Sequence, residues 1–106
     1  MSESNLLTET IKKLKFYKKT PEDIIWVGSR EYKTTWSKFA KLADKAYDNG
    51  YGSAEVHPDL LVVGSDFWLE RHGYDGAEWW EYKTMPLEPT EEKEFESLFT
   101  EEEWLK

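Results

Sequence analysis

The chain of 106 residues has no cysteine, so neither a disulfide framework nor a thiolate metal site is available to it. Long apolar runs are absent as well. Stretches such as IIWV at 24–27 and LLVV at 60–63 fall far short of the roughly 20 apolar residues that span a bilayer. The N-terminal MSESNLLTET is polar and lacks the apolar centre of a secretory signal, so a soluble, cytoplasmic protein is expected. No glycine-rich phosphate loop, no Gly-x-Ser-x-Gly and no His-Glu-x-x-His occurs. Basic residues are scarce in the second half: residues 51–106 hold four Lys/Arg against fifteen Asp/Glu, whereas residues 1–50 hold ten against seven. With a net charge of −8, direct nucleic-acid binding is not expected, because neutralising phosphates takes a basic stripe.

What the chain does have is aromatic surface. It carries six tryptophans, and three of them fall in residues 60–84, LLVVGSDFWLERHGYDGAEWWEYKT. This stretch reads as a meander of three antiparallel strands. The apolar run Leu60 to Val63 comes first, and Gly64 and Ser65 suit a two-residue type II′ turn. Asp66 to His72 and Ala77 to Thr84 follow, separated by Gly73, Tyr74, Asp75 and Gly76.

The second turn offers two registers. A two-residue loop at Asp75 and Gly76 sets Glu70 opposite Glu81 and Arg71 opposite Trp80. A four-residue loop pairs Arg71 with Glu78, Asp66 with Lys83, Leu69 with Trp80 and Phe67 with Tyr82. Directly opposed like charges cost about as much as a good cross-strand pair contributes, roughly 0.2–1 kcal/mol, so the four-residue register is expected. It places Leu60, Leu69 and Trp80 in one row of the core face, and Val62, Phe67 and Tyr82 in the next. The opposite face then carries Leu61, Val63, Trp68, Glu70, Trp79 and Glu81. Such a face is either covered by a helix or presented for binding.

The remaining segments read as cover for this sheet. Ser4 or Asn5 caps a first helix reaching about Lys19, with Leu7, Ile11, Leu14 and Tyr17 as its apolar seam and a basic outer side. Thr20 and Pro21 start a single helical turn that leads into a strand at Ile24 to Gly28. Residues 29–35 form a loop or ragged edge strand. A helix at 36–48, capped by Thr35, exits at Asn49 and Gly50, with Trp36, Phe39, Ala40, Ala43, Ala46 and Tyr47 facing the sheet. Residues 54–56 suggest a short strand. After a linker beginning near residue 86, Thr90 caps a final acidic helix at 90–104. The expectation is a single α+β domain spanning 1–106. Its small, mainly antiparallel sheet is packed by helices near 5–19, 36–48 and 90–104.

The meander motifs (DLLVVG, WLER and YDGAEWWEYK) together with WVGS, Trp36-x-x-Phe39 and Tyr51-Gly52-x-x-Glu55-Val56 resemble a group of small uncharacterised proteins from phages and prophages of Gram-positive bacteria. The likeness spans roughly residues 20–86. It implies a phage accessory origin and brings no catalytic or binding residue with it.

Candidate chemistry is sparse. His57 and His72 fall too far apart on the expected sheet to share a metal, and no metal or cofactor is expected. Glu70 and Glu81, beside Trp68 and Trp79, have surroundings suited to a raised carboxyl pKa, so a small hydrolase-like enzyme is one alternative. No nucleophile or oxyanion feature accompanies them. The leading expectation is a non-enzymatic protein that binds a host or phage protein through this acidic and aromatic surface, in its sharper form as a nucleic-acid-mimicking inhibitor. Should the face be covered, Tyr74 and Asp75 on the turn become the contact residues. A second alternative is an assembly protein, a homo-oligomer in which the basic N-terminal helix of one subunit meets the acidic tail of the next.

Overall fold

Asn5 closes a short strand, β1 (Glu3–Asn5), and caps the helix that follows, α1 (Leu6–Phe16), its side chain accepting from the Thr8 N–H at 3.0 Å. The structure, a computed structural model, describes residues 3–48, 50 and 53–97. Beyond α1, Pro21–Asp23 makes one 3-10 turn, with the Thr20 N–H donating to the Asp23 carboxylate at 2.8 Å. Strands β2 (Ile24–Gly28) and β3 (Lys33–Thr34) follow, so residues 29–35 do hold a short edge strand. Helix α2 (Trp36–Ala43) begins at Thr35, whose hydroxyl accepts from the Lys38 N–H. Strand β4 (Ala46–Asp48) precedes the meander of β5 (Leu61–Gly64), β6 (Phe67–Tyr74) and β7 (Ala77–Thr84).

The fold is α+β. An antiparallel sheet in the order β3-β2-β5-β6-β7 forms the body, and β1 pairs with β4 as a separate ribbon. Both helices contribute to one buried cluster on one side of the large sheet. Leu14 from α1 and Phe39 and Ala43 from α2 pack with Val27, Val62, Phe67, Leu69 and Trp80.

The register differs from the expected one. The second turn is the two-residue loop, with Asp75 at φ 53° and Gly76 at φ 89°, the positive pair that a type I′ turn requires. Glu70 therefore lies opposite Glu81, and Arg71 opposite Trp80. In the first hairpin Val62 faces Leu69 and Leu61 faces Glu70, so Ser65 and Asp66 form the connection. Both hairpins are displaced by two residues from expectation. Because side chains alternate with period two, a two-residue slip leaves every side chain on its expected face.

Repulsion between two half-exposed carboxylates in high dielectric is small. It does not outweigh the I′ turn or the burial of Trp80 under Arg71. Gly64 has a separate constraint: the Phe67 ring crosses it so closely that a Cβ there would lie 2.1 Å from a ring carbon.

Other elements need correction. Helix α2 stops at Ala43 because Asp44 leaves helical geometry, at φ −77° and ψ 70°, and accepts from the Asn5 side chain at 2.9 Å. Tyr47 thus reaches the core from a strand rather than a helix, and the expected exit residue Asn49 lies outside the described residues, as do Tyr51 and Gly52. On α1 the buried positions are Thr10 and Leu14, while Ile11 and Tyr17 remain exposed. Residues 54–56 form no strand, and the Glu55 and Val56 N–H groups donate to Glu78 instead.

Residues 90–97 are not helical, and the rest of the expected final helix lies outside the described residues. An acidic run with Glu at 88, 92 and 96 sets like charges four residues apart, and residues 88–96 are exposed, so no apolar face is buried to offset that repulsion there.

Candidate functional site

The face of the sheet opposite the helices is built by a motif that occurs twice. Trp68 and Glu70 on β6, and Trp79 and Glu81 on β7, are each two residues apart and so project from the same face. In each pair the indole N–H donates to the carboxylate, Trp68 Nε1 to Glu70 at 2.8 Å and Trp79 Nε1 to Glu81 at 2.7 Å. An indole that reaches along its own strand in this way lies against the sheet.

The strands run antiparallel, so the two pairs point in opposite directions, with Glu70 and Glu81 side by side at the centre. Lys83 stands opposite Trp68, and His72 opposite Trp79. His72 Nε2 lies 2.7 Å from the second oxygen of Glu70. Val63 and Leu61 on β5, and Trp26 on β2, extend the apolar part of the face. Among the described residues no helix covers it, and both indoles are half-buried.

The electrostatics run opposite to the raised carboxyl pKa that acid catalysis calls for. Glu70 is held below the ordinary carboxylate value, first by the Trp68 hydrogen bond and then by the one with His72. The Trp79 hydrogen bond does the same for Glu81. Both groups are thus ionised near neutral pH, and two adjacent fixed anions beside indole surface attract cations rather than supply protons. Of the turn residues, Tyr74 ends β6 opposite Ala77 and is exposed, and Asp75 takes the left-handed position of the two-residue turn rather than a place in the four-residue loop expected. Among the described residues no group of three His, Asp or Glu is arranged to hold a metal ion.

A second constellation lies beneath the sheet, on the core face. Arg71, with 2% of its side chain exposed, donates from Nη2 to Glu78 at 2.7 Å and to the Tyr47 hydroxyl at 3.2 Å, and from Nη1 to Glu9 at 3.2 Å. Tyr47 in turn donates to Glu9. Glu78 also accepts the backbone N–H groups of Glu55, at 2.7 Å, and Val56. The guanidinium carbon sits 4.8 Å from the centre of the Trp80 ring, whose N–H donates to the buried Thr10 hydroxyl at 2.9 Å.

Burial opposes the charge on Arg71, but the hydrogen bonds to Tyr47 and Glu78 outweigh it and its pKa is raised. Burial, and then the bond to Glu9, push the Tyr47 hydroxyl up to about 12. The network joins α1, β4, the 53–58 loop, β6 and β7; its centre, Arg71 and Glu78, is buried, while Glu9 is partly exposed at its rim.

Sequence reasoning found the Arg71–Glu78 ion pair but in the wrong geometry, as a direct cross-strand pair. The two are diagonal neighbours, because Glu78 lies opposite Gly73. Glu9, Tyr47 and Thr10 were missed as members. The available signal was the alternation Phe67, Leu69, Arg71, which puts an arginine on a core face and demands buried partners.

No protein-family model, curated protein or solved structure matches the chain.

Proposed function

We propose that the protein is a non-enzymatic binding protein of phage or prophage origin. On this reading it acts in the cytoplasm of a bacterial host, on a host or phage protein, through the face that carries Trp68, Glu70, Trp79 and Glu81. One observation carries the reading: two ionised carboxylates stand side by side, each held by its own indole, on a sheet face that no described helix covers. Fixed anions bordered by flat aromatic surface suit the arginines and lysines of a partner, since a guanidinium both pairs with carboxylate and stacks on indole. Proteins hold nucleic acid with basic surfaces of that kind. In its sharper form, the protein occupies such a site with carboxylates in place of phosphates. The phage origin rests on the resemblance of residues 20–86 alone.

Affinity capture from host lysate at low salt, run beside the Glu70→Gln/Glu81→Gln variant, tests the reading. A nucleic-acid-handling protein retained by the wild type and released from the variant is expected. Equal retention by both chains, or recovery of no such protein, would contradict it.

A further inference from the structure

A second surface, meeting the first at Trp79, runs along the open edge of the sheet. Strand β7 is the last in the order, so alternate N–H and C=O groups along it point away from β6, and among the described residues no backbone group pairs with them. Helix α1 lies beside this edge and leaves a groove of about 620 Å3, bordered by Thr8, Lys12, Lys13 and Phe16 and by Trp79 and Trp80 of β7. Phe16 is 77% exposed. An edge strand facing a helix across a groove is the geometry in which an extended segment adds as a further strand. Main-chain hydrogen bonds then supply affinity, and side-chain contacts supply selectivity.

Charge and composition say which segment fits. Residues 6–19 carry five lysines and one glutamate. Beyond β7, residues 88–96 carry five glutamates and one lysine, with Phe95 78% exposed. Pro86 and Pro89 bias the residues before them to extended backbone, so the segment starts in the shape an added strand requires. Residues 85–96 are exposed and do not double back to pair with β7, so in this chain the acidic segment and the basic groove stand apart.

We propose that the groove between α1 and β7 receives residues 88–96 of a second copy of this chain as an added strand. The glutamates of the incoming segment lie over Lys12 and Lys13, and its Phe95 packs against Phe16.

Sedimentation velocity on the full chain at low salt, over a range of concentrations, tests this. The mass should rise above the 12.6 kDa monomer with concentration and fall back as salt is added. Full-length Lys12→Glu/Lys13→Glu and full-length Glu91→Lys/Glu92→Lys should each associate about tenfold or more weakly alone. Mixed together, the two variants should regain association. A monomer at every concentration, which includes the case where a chain fills its own groove, would overturn the proposal. So would association unchanged by the Lys12 and Lys13 reversals, or a mixture no stronger than its parts.

Discussion

Glu78 ties Arg71 to the 53–58 loop through one buried carboxylate. Its side chain is 3% exposed, it neutralises Arg71, and it accepts two loop N–H groups. Glu78→Ala leaves a buried cation without its shortest ion pair, and a loss of about 3–5 kcal/mol is expected in urea unfolding. Tyr47 adds a pH signature. Its hydroxyl is raised to about 12 in the folded chain, against 10.0 for the unfolded group. The folded state therefore holds the proton longer. Stability from this group is complete below pH 10 and is lost as pH rises toward 12. Denaturation at pH 9 and at pH 11.5 should show a smaller alkaline loss in Tyr47→Phe than in the wild type. Equal losses would mean that burial and the bond to Glu9 do not hold the phenol's proton.

At the scale of elements, the two hairpins carry the argument. Gly64 lies under the Phe67 ring, so Gly64→Ala should cost about 1–3 kcal/mol through overpacking. Pairing it with Phe67→Leu should recover part of that loss, an interaction a double-mutant cycle reads directly. The hairpins also show how far the sequence could be read. Period-two alternation assigned the faces correctly, because Leu69 and Trp80 against Trp68 and Trp79 leave little choice. The register was not legible. Local charge pairing favoured Arg71 opposite Glu78, yet the fold meets that attraction on a diagonal while the I′ geometry of Asp75 and Gly76 fixes the turn. Helix α2 was overread for a related reason: Ala46 and Tyr47 continue the helical spacing, but Asp44 and Asn5 bond across a gap of 39 residues that no local pattern contains. Capping at Asn5 and Thr35 was legible because caps are local chemistry.

At the scale of the whole molecule, the sheet has one face sealed by both helices and one face that presents paired indoles and carboxylates. The core's structural role and the proposed binding role are separable. Glu70 and Glu81 lie at the surface, so Glu70→Gln/Glu81→Gln should leave the unfolding midpoint nearly unchanged while abolishing capture of a basic partner. Trp80→Ala should do the reverse to the core, at about 3–5 kcal/mol. Because both carboxyls are held below their ordinary value of 4.5, acidifying to that value should weaken capture less than it would for unperturbed glutamates.

The proposed binding role depends above all on Trp68 and Trp79 meeting solvent, which can be read from the indole N–H signals of the full chain in the presence of a soluble paramagnetic probe. Trp68 and Trp79 should broaden strongly while Trp80, 1% exposed, stays sharp. If Trp68 and Trp79 are as protected as Trp80, that face is covered in solution and the binding role assigned to it is wrong.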